Sequence, residues 1–292
     1  VTNGRTDDRQ AQRHSRRGEG RIVVLLDGSP MSYAALRAAA NIAAQTGAEV
    51  LGVFVEEMNL LRSAGFSFSR EVGSASGISR TLDTARVERR LQRLADHARQ
   101  ALAKAMEGRG GHHALSITRG RVIEEVLALA GPEDLLVLGR VGWSSAPGAR
   151  LGSTARGLVQ RSPGRVLLWC EQNVPARDRI VVFLNDHPEA NERALTAAAE
   201  ASRRYRQAVT ALLCPGSSVS QEQLSDFSRD LEVMGGGIRL RVLPACDPAT
   251  IAQTVRQEHA SHLVISRGCV LFQKPGADQL LVVLDLPVTV TP

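Results

Sequence analysis

Lysine is nearly missing from this sequence: Lys104 and Lys274 are the only two, so almost all of the 36 basic residues are arginine. Against them stand 30 acidic residues, interspersed along the chain, leaving a formal charge of +6. No long basic run exists, so the arginine content reads as codon bias and nucleic acid is not an expected partner. Aromatic residues are also scarce, at 3%, although hydrophobic residues reach 43%. The cores must therefore be packed from Val, Leu, Ile and Ala, which suits parallel strands covered by helices. Cysteine is sparse and scattered: Cys170, Cys214, Cys246 and Cys269 form no CxxC pair. That excludes a short disulfide framework and fits a reducing compartment. No apolar run approaches the roughly 18 residues needed to cross a bilayer, and the first residues carry no signal-peptide core. The expectation is a cytoplasmic protein without a membrane partner.

What is present is an alternation of short apolar runs and helical patterns over 292 residues, a length that suits two domains. Residues 1–20 are polar and Arg-rich and are expected to form a disordered tail. Order begins at Arg21-Ile-Val-Val-Leu-Leu26, a buried strand that ends in Asp27-Gly28-Ser29-Pro30. An Ala-rich helix from Tyr33 to Gln45 stops at Gly47, and Val50–Val55 reads as the next strand. Residues 58–80, rich in Ser and Gly, read as a long loop of the kind that is usually functional or mobile. Val87, Leu91, Leu94, Ala98 and Leu102 then recur at helical spacing. Further alternation follows: strand 115–118, helix 122–130, strand 135–138, helix 153–160 and strand 166–169. Alternating strands and helices of this kind predict a doubly wound parallel sheet.

The pattern then repeats. Arg21-Ile-Val-Val-Leu-Leu-Asp-Gly-Ser-Pro30 aligns with Arg179-Ile-Val-Val-Phe-Leu-Asn-Asp-His-Pro188. Leu136-Val-Leu-Gly-Arg140 aligns with Leu263-Val-Ile-Ser-Arg267, and Pro163 with Pro287. The chain is a tandem duplication. The expected fold is α/β, two tandem doubly wound five-stranded parallel-sheet domains, at 21–170 and 179–292, joined by a linker at 171–178.

After the strand at 135–138 come Gly139-Arg-Val-Gly142, nine further residues, and then Gly152-Ser153-Thr154 opening a helix. A helix N-terminus facing the carboxyl edge of a parallel sheet presents unpaired N–H groups and a favourable dipole to an anion. Glycines let the backbone approach phosphate oxygens closely. Ser153 and Thr154 add hydroxyls, and Arg140 or Arg150 a cation. Asp27 ends the first strand on the same edge, where its carboxylate can accept hydrogen bonds from a base or ribose. Alone, such a loop is equally well a simple connection with Ser153 as the helix N-cap.

The pattern Gly139-x2-Gly142-x9-Gly152-Ser153 resembles the ATP-binding signature of universal stress proteins. The start at Val23–Pro30, Gly120 before the third helix, and Pro163 before the last strand resemble the same family. The resemblance covers nearly all of residues 21–170 and extends more faintly over 179–292. It implies an adenine nucleotide, ATP or ADP or AMP, with a divalent ion such as Mg2+ carried on the phosphates. Asp27 and the backbone of Val55 would meet adenine, Gly139 and Gly142 would line ribose and phosphates, and Gly152, Ser153 and Thr154 would bind phosphates. It also implies pairing of last strands, here Val166–Trp169 against Val288–Thr291, an intramolecular pseudo-dimer that leaves further homodimer formation open. The second half replaces Asp27 with Asn185, Gly139 with Ser266 and Ser153 with Ala277, and shortens the loop before Gly276. It is expected to keep the fold and lose the site.

Other chemistry is set aside. Gly148–Thr154 lacks the lysine of a Walker loop, no GxGxxG follows a strand, and GxSxG is absent. His259, His262 and Cys269 read as packing residues rather than metal ligands, as do His112 and His113. Glu124 and Glu125 read as favourable charge at a helix start, and Gly235–Gly237 as the close of a helix. The expected function is regulatory nucleotide binding read by a partner protein, and not an enzyme. No base stands out beside a γ-phosphate, and no Mg2+ carboxylate is spare beyond Asp27. A slow ATPase or phosphotransferase, or a nucleotide-free scaffold, are the alternatives.

Overall fold

Strand β1 (Ile22–Leu25) carries the chain to Asp27, and Gly28, at φ 80°, makes the left-handed turn that sends it into α1 (Pro30–Thr46). Ser29 caps α1 by accepting from Ser32 N at 3.1 Å, Pro30 fills the first turn, and Gly47 ends the helix at φ 74°. The computed structural model describes residues 20–73, 76–142, 151–170, 178–215, 238–273 and 276–292, with 219, 225 and 229. The expected N-terminal tail, most of the linker, the loop at 143–150 with Arg150, and Gly235–Gly237 lie outside the described residues.

From α1 the chain enters β2 (Val50–Glu57). The segment read as a loop instead contains a short helix, α2 (Met58–Ala64), and a hairpin of β3 (Arg70–Val72) with β4 (Ser79–Thr81). Its signal is weak because the apolar side chains there are largely exposed and follow no period: Phe66 and Phe68 stack on each other in solvent. Helix α3 (Thr84–Met106) follows, capped by Asp83, then β5 (His113–Gly120), α4 (Val122–Leu129), β6 (Leu135–Gly139), α5 (Ser153–Arg161) and β7 (Arg165–Trp169).

The second half repeats the order with β8 (Arg179–Leu184), α6 (Pro188–Tyr205), β9 (Ala208–Leu213) and β10 (Ile238–Val242). It continues through α7 (Pro248–Gln257), β11 (Ala260–Ser266), the short α8 (Val270–Gln273), α9 (Gly276–Val283) and β12 (Val288–Thr291).

The expected pair of five-stranded sheets is one ten-stranded sheet, ordered β10-β9-β8-β11-β12-β7-β6-β1-β2-β5. Neighbours are parallel except at the centre, where β7 and β12 run antiparallel with Val166 opposite Val290 and Leu168 opposite Val288. This is the strand pairing that the resemblance implies. A pseudo-twofold axis follows from it, since each half reads inward to the same seam.

On one face a single apolar core runs beneath the seam, joining Val126 and Leu158 of the first half to Ile251, Leu280 and Leu284 of the second. On the opposite face the halves keep separate cores, one under α1 and α3 and one under α6. Each fully buried Leu or Val in the shared core contributes about 1.5–3 kcal/mol, so the halves stabilise each other.

Polar contacts repeat the symmetry. Arg140, just after β6, donates through Nη1 to the carbonyl of Leu284 beyond α9. Its counterpart Arg267, just after β11, donates to the carbonyls of Val159 and Ser162 at the end of α5, at 3.1 and 2.8 Å. A cation at a helix C-terminus meets the unpaired carbonyls and the negative end of the dipole. Arg156–Asp278 and Arg165–Glu200, at 3.0 and 2.6 Å, add ion pairs across the seam.

Candidate functional site

The strands β1, β2 and β6 end side by side, and the order reverses between β1 and β6, where chains leave to opposite faces of the sheet. Open parallel sheets hold ligands at such a point. Here the carboxyl edge opens into a cavity of about 1010 Å3. All eight residues expected from the sequence reach its wall: Asp27, Val55, Gly139, Arg140, Gly142, Gly152, Ser153 and Thr154.

Two of the glycines are explained by what stands against them. A Cβ at Gly142 would lie 2.5 Å from Asp27 Oδ2, and one at Gly139 would lie 3.0 Å from the backbone carbon of Met31. The chain leaving β6 is therefore pressed against the β1–α1 turn, and any side chain would push the two apart. Asp27 is itself held by Ser29 N, which donates to Oδ1 at 2.9 Å, so Oδ2 faces the cavity side of the turn beside Gly142. Tyr33 stands nearby; burial first, and the charge of Asp27 second, push its phenol pKa upward.

The loop after Gly142 closes at its base, where Gly152 N donates to Arg140 O at 2.7 Å. Gly152, not Ser153, is the N-cap of α5, and no side chain caps the helix. No acidic residue lies in its first turn either. The N–H groups and hydroxyls of Ser153 and Thr154 thus sit on the cavity wall without an acidic neighbour in that turn, a ready arrangement for an anion.

Arg140 departs from expectation. It was expected to offer a cation to phosphates, but it is 4% exposed and its Nη1 reaches the second half at Leu284. Its Nε and Nη2 are buried without a hydrogen-bond partner among the described residues. Its place on the cavity wall comes with a side chain committed across the seam, a partner 144 positions away that no local pattern announces.

The far wall holds residues that the motifs did not point to. Leu102 packs over Gly52, whose added Cβ would lie 3.1 Å from Leu102 Cδ2. From there β2 climbs about 10 Å to Val55, whereas α3 runs about 27 Å back to Thr84. The first turns of α3 consequently stand well above the sheet edge. They present Arg86, Arg90, Arg93 and His97 along the cavity, with Leu60, Arg70 and Leu82 of the 58–82 segment beside them. Arg86 pairs with Glu71 of β3 at 3.0 Å, which ties the hairpin to the helix. The spacing 86, 90, 93, 97 is helical and was visible, but its direction toward a cleft was not.

Of the histidines considered as metal ligands, His262 has a structural partner. His262 is buried with Nε2 2.8 Å from Thr289 Oγ1, and burial, with the charge of Arg204 second, holds its pKa down to about 3. Among the described residues no group of three or more His, Cys, Asp or Glu side chains gathers. Glu124 opens α4 and also pairs with Arg161 at 3.0 Å.

The cysteines require a correction. Cys214 and Cys246 form a disulfide, with Cα atoms 5.4 Å apart, whereas Cys170 and Cys269 are buried and in no disulfide. The spacing of 32 residues hides the pair, because only the β9–β10 crossover brings its ends together. No described helix is long and apolar enough to cross a membrane.

Comparison with known proteins supports the fold. A model of the universal stress protein family matches residues 19–169. Universal stress protein Rv1996 of Mycobacterium tuberculosis is 26% identical over 187 residues, 63% of this chain and 59% of that protein. The match thus spans less than two thirds of the curated relative's length. Among solved structures, a universal stress protein from Archaeoglobus fulgidus superposes with a TM-score of 0.67 at 16% identity, covering 92% of this chain and 95% of that one. The likeness is one of fold. Another structure from Archaeoglobus fulgidus, a universal stress protein in complex with dAMP, matches 39% of this chain and 98% of that one at 21% identity, with a TM-score of 0.30.

Proposed function

The chain belongs to the universal stress protein family, and on that premise we propose that its first half binds one adenine nucleotide for regulation rather than turnover. ATP, ADP or AMP would lie along the carboxyl edge, with the base at Asp27 and the backbone of Val55. Its ribose would lie by Gly139 and Gly142. The phosphates, with a divalent ion on them, would reach Gly152, Ser153 and Thr154. Arg140 contributes its backbone and braces the loop from the second half.

The observation that carries this reading is the closeness of the two turns. Gly142 is pressed against Asp27 Oδ2, and the uncapped start of α5 sits on the same cavity wall. An acceptor for the base and donors for the phosphates then share one cleft of a size that suits a nucleotide.

Regulation is favoured over hydrolysis by the state of the carboxylates lining the cavity. Asp27 holds Ser29 N, Glu57 holds Asn59 at 3.0 Å, and Glu71 is paired with Arg86. Each already holds a partner of its own, whereas fast phosphoryl transfer calls for a carboxylate available as a base and another for the metal. The bound state would instead be read by a partner protein.

Native mass spectrometry of the purified chain tests the proposal. Addition of ATP should shift the mass by one nucleotide, and Gly152→Val, which blocks the α5 start, should abolish the shift. Equal binding by that variant would remove the phosphate site from α5.

A further inference from the structure

The register of the sheet locates the second half's counterpart of the cleft residue by residue. In the first half Ile22 pairs with Val50, and five residues later β2 presents Val55. In the second half Ile180 pairs with Val209, and five residues later stands Cys214. Cys214 therefore takes the place of Val55. On the outer strands His113 pairs with Val50 and Ile238 with Val209. The chain entering α4 at Gly120 and Arg121 thus corresponds to Ala245 and Cys246. In the first half Val55 and Val122, the residue after Arg121, line the open cavity. In the second half Cys214 and Cys246 are bonded to each other.

We propose that Cys214–Cys246 is a reversible redox site, a staple that closes the second half's cleft when oxidised and opens it when reduced. Access favours this pair. Both cysteines are partly exposed, Pro215, Pro244 and Ala245 beside them are exposed, and the other two cysteines are buried. Burial also pushes the Cys269 thiol up to about 11, which keeps it unreactive. Opening takes two electrons and two protons from a dithiol, which leaves as its own disulfide, and yields two thiols. Hydrogen peroxide closes the pair again, forming the S–S bond and two waters.

By the same register Asn185, at the end of β8 and one strand inward from Cys214, is the counterpart of Asp27; it is 6% exposed, with Nδ2 unpartnered among the described residues. Opening would let solvent or a small acceptor reach that buried amide. The first half carries no cysteine at the matching places, so its cleft would not respond to the same signal.

The test uses the full chain, oxidised with hydrogen peroxide or reduced with dithiothreitol, and two readings. Iodoacetamide applied under native conditions should label Cys214 and Cys246 only after reduction. Amide hydrogen exchange at 208–215 and 243–250 should rise at least tenfold on reduction, while 22–57 stays unchanged. A Cys214→Ser/Cys246→Ser variant should exchange like the reduced protein in either condition. Failure of peroxide to form the bond, labelling confined to Cys170 or Cys269, or equal exchange in the two states would each overturn the proposal. Loss of nucleotide binding in the first half would leave these readings unaffected.

Discussion

Replacing Arg140 with methionine separates bracing of the seam from phosphate binding. The arginine is 4% exposed, with one donor on Leu284 O and two without partners among the described residues. Removing a charged hydrogen bond costs about 1.5–3 kcal/mol, and each unpaired buried donor costs on the order of 1–3 kcal/mol. Methionine loses the bond, relieves both unpaired donors and keeps much of the stem packing. The relief equals or exceeds the loss, so Arg140→Met should be less stable than the parent by no more than about 1 kcal/mol in urea. Arg140→Ala also leaves a cavity and should lose about 3 kcal/mol. ATP affinity of the methionine variant should change less than about threefold, because the guanidinium is directed across the seam and not at the phosphates. A hundredfold weaker Kd, about 2.7 kcal/mol, would put Arg140 on the phosphates and refute the assignment. A stability loss of about 3 kcal/mol in the methionine variant would mean the two buried donors are paired.

Three further outcomes are expected. Gly142→Ala places a Cβ 2.5 Å from Asp27 Oδ2 and must displace a carboxylate held by Ser29 N. Calorimetry should show ATP affinity falling at least about tenfold, and undiminished affinity would separate Asp27 from the cleft. For His262, the folded pKa of about 3 lies below the ordinary 6.5, so the unfolded chain binds the extra proton between those values. This contribution to stability is whole above about pH 6.5 and falls as pH drops, by about 2 kcal/mol at pH 5. His262→Gln should flatten that slope in urea titrations, and an unchanged slope would place the titration elsewhere. Reducing Cys214–Cys246 frees a loop closed over 32 residues, which should cost about 4 kcal/mol by chain entropy and lower the melting temperature. An unchanged melting temperature in dithiothreitol would mean that the bond does not constrain the folding unit that melts.

Much of the cavity wall was legible because the close approach of one turn to another leaves its trace in glycine spacing. Gly139 and Gly142 are where the chain leaving β6 must approach the β1–α1 turn, and no side chain fits at either. The strands were legible because Val23–Leu26 and Leu136–Leu138 are continuous apolar runs, covered on both faces. That β7 and β12 join into one sheet came from family resemblance, since Val166-Leu-Leu168 says that the strand is buried but not beside what. Arg140 was misread because a long side chain near a glycine loop looks like a phosphate ligand. Its real partner depends on the folded seam. Cys214 and Cys246 were misread for the same reason: sequence distance conceals a contact made by a crossover. The 58–82 segment has too little buried apolar surface to show a period, and its order comes from pairing with α3.

Calorimetric titration of ATP, ADP and AMP into the full chain and into Asp27→Ala tests the central claim most directly. The account predicts one site per chain, with affinity for all three reduced at least about a hundredfold in the variant. No binding at millimolar nucleotide, two sites per chain, or full affinity in Asp27→Ala would contradict it.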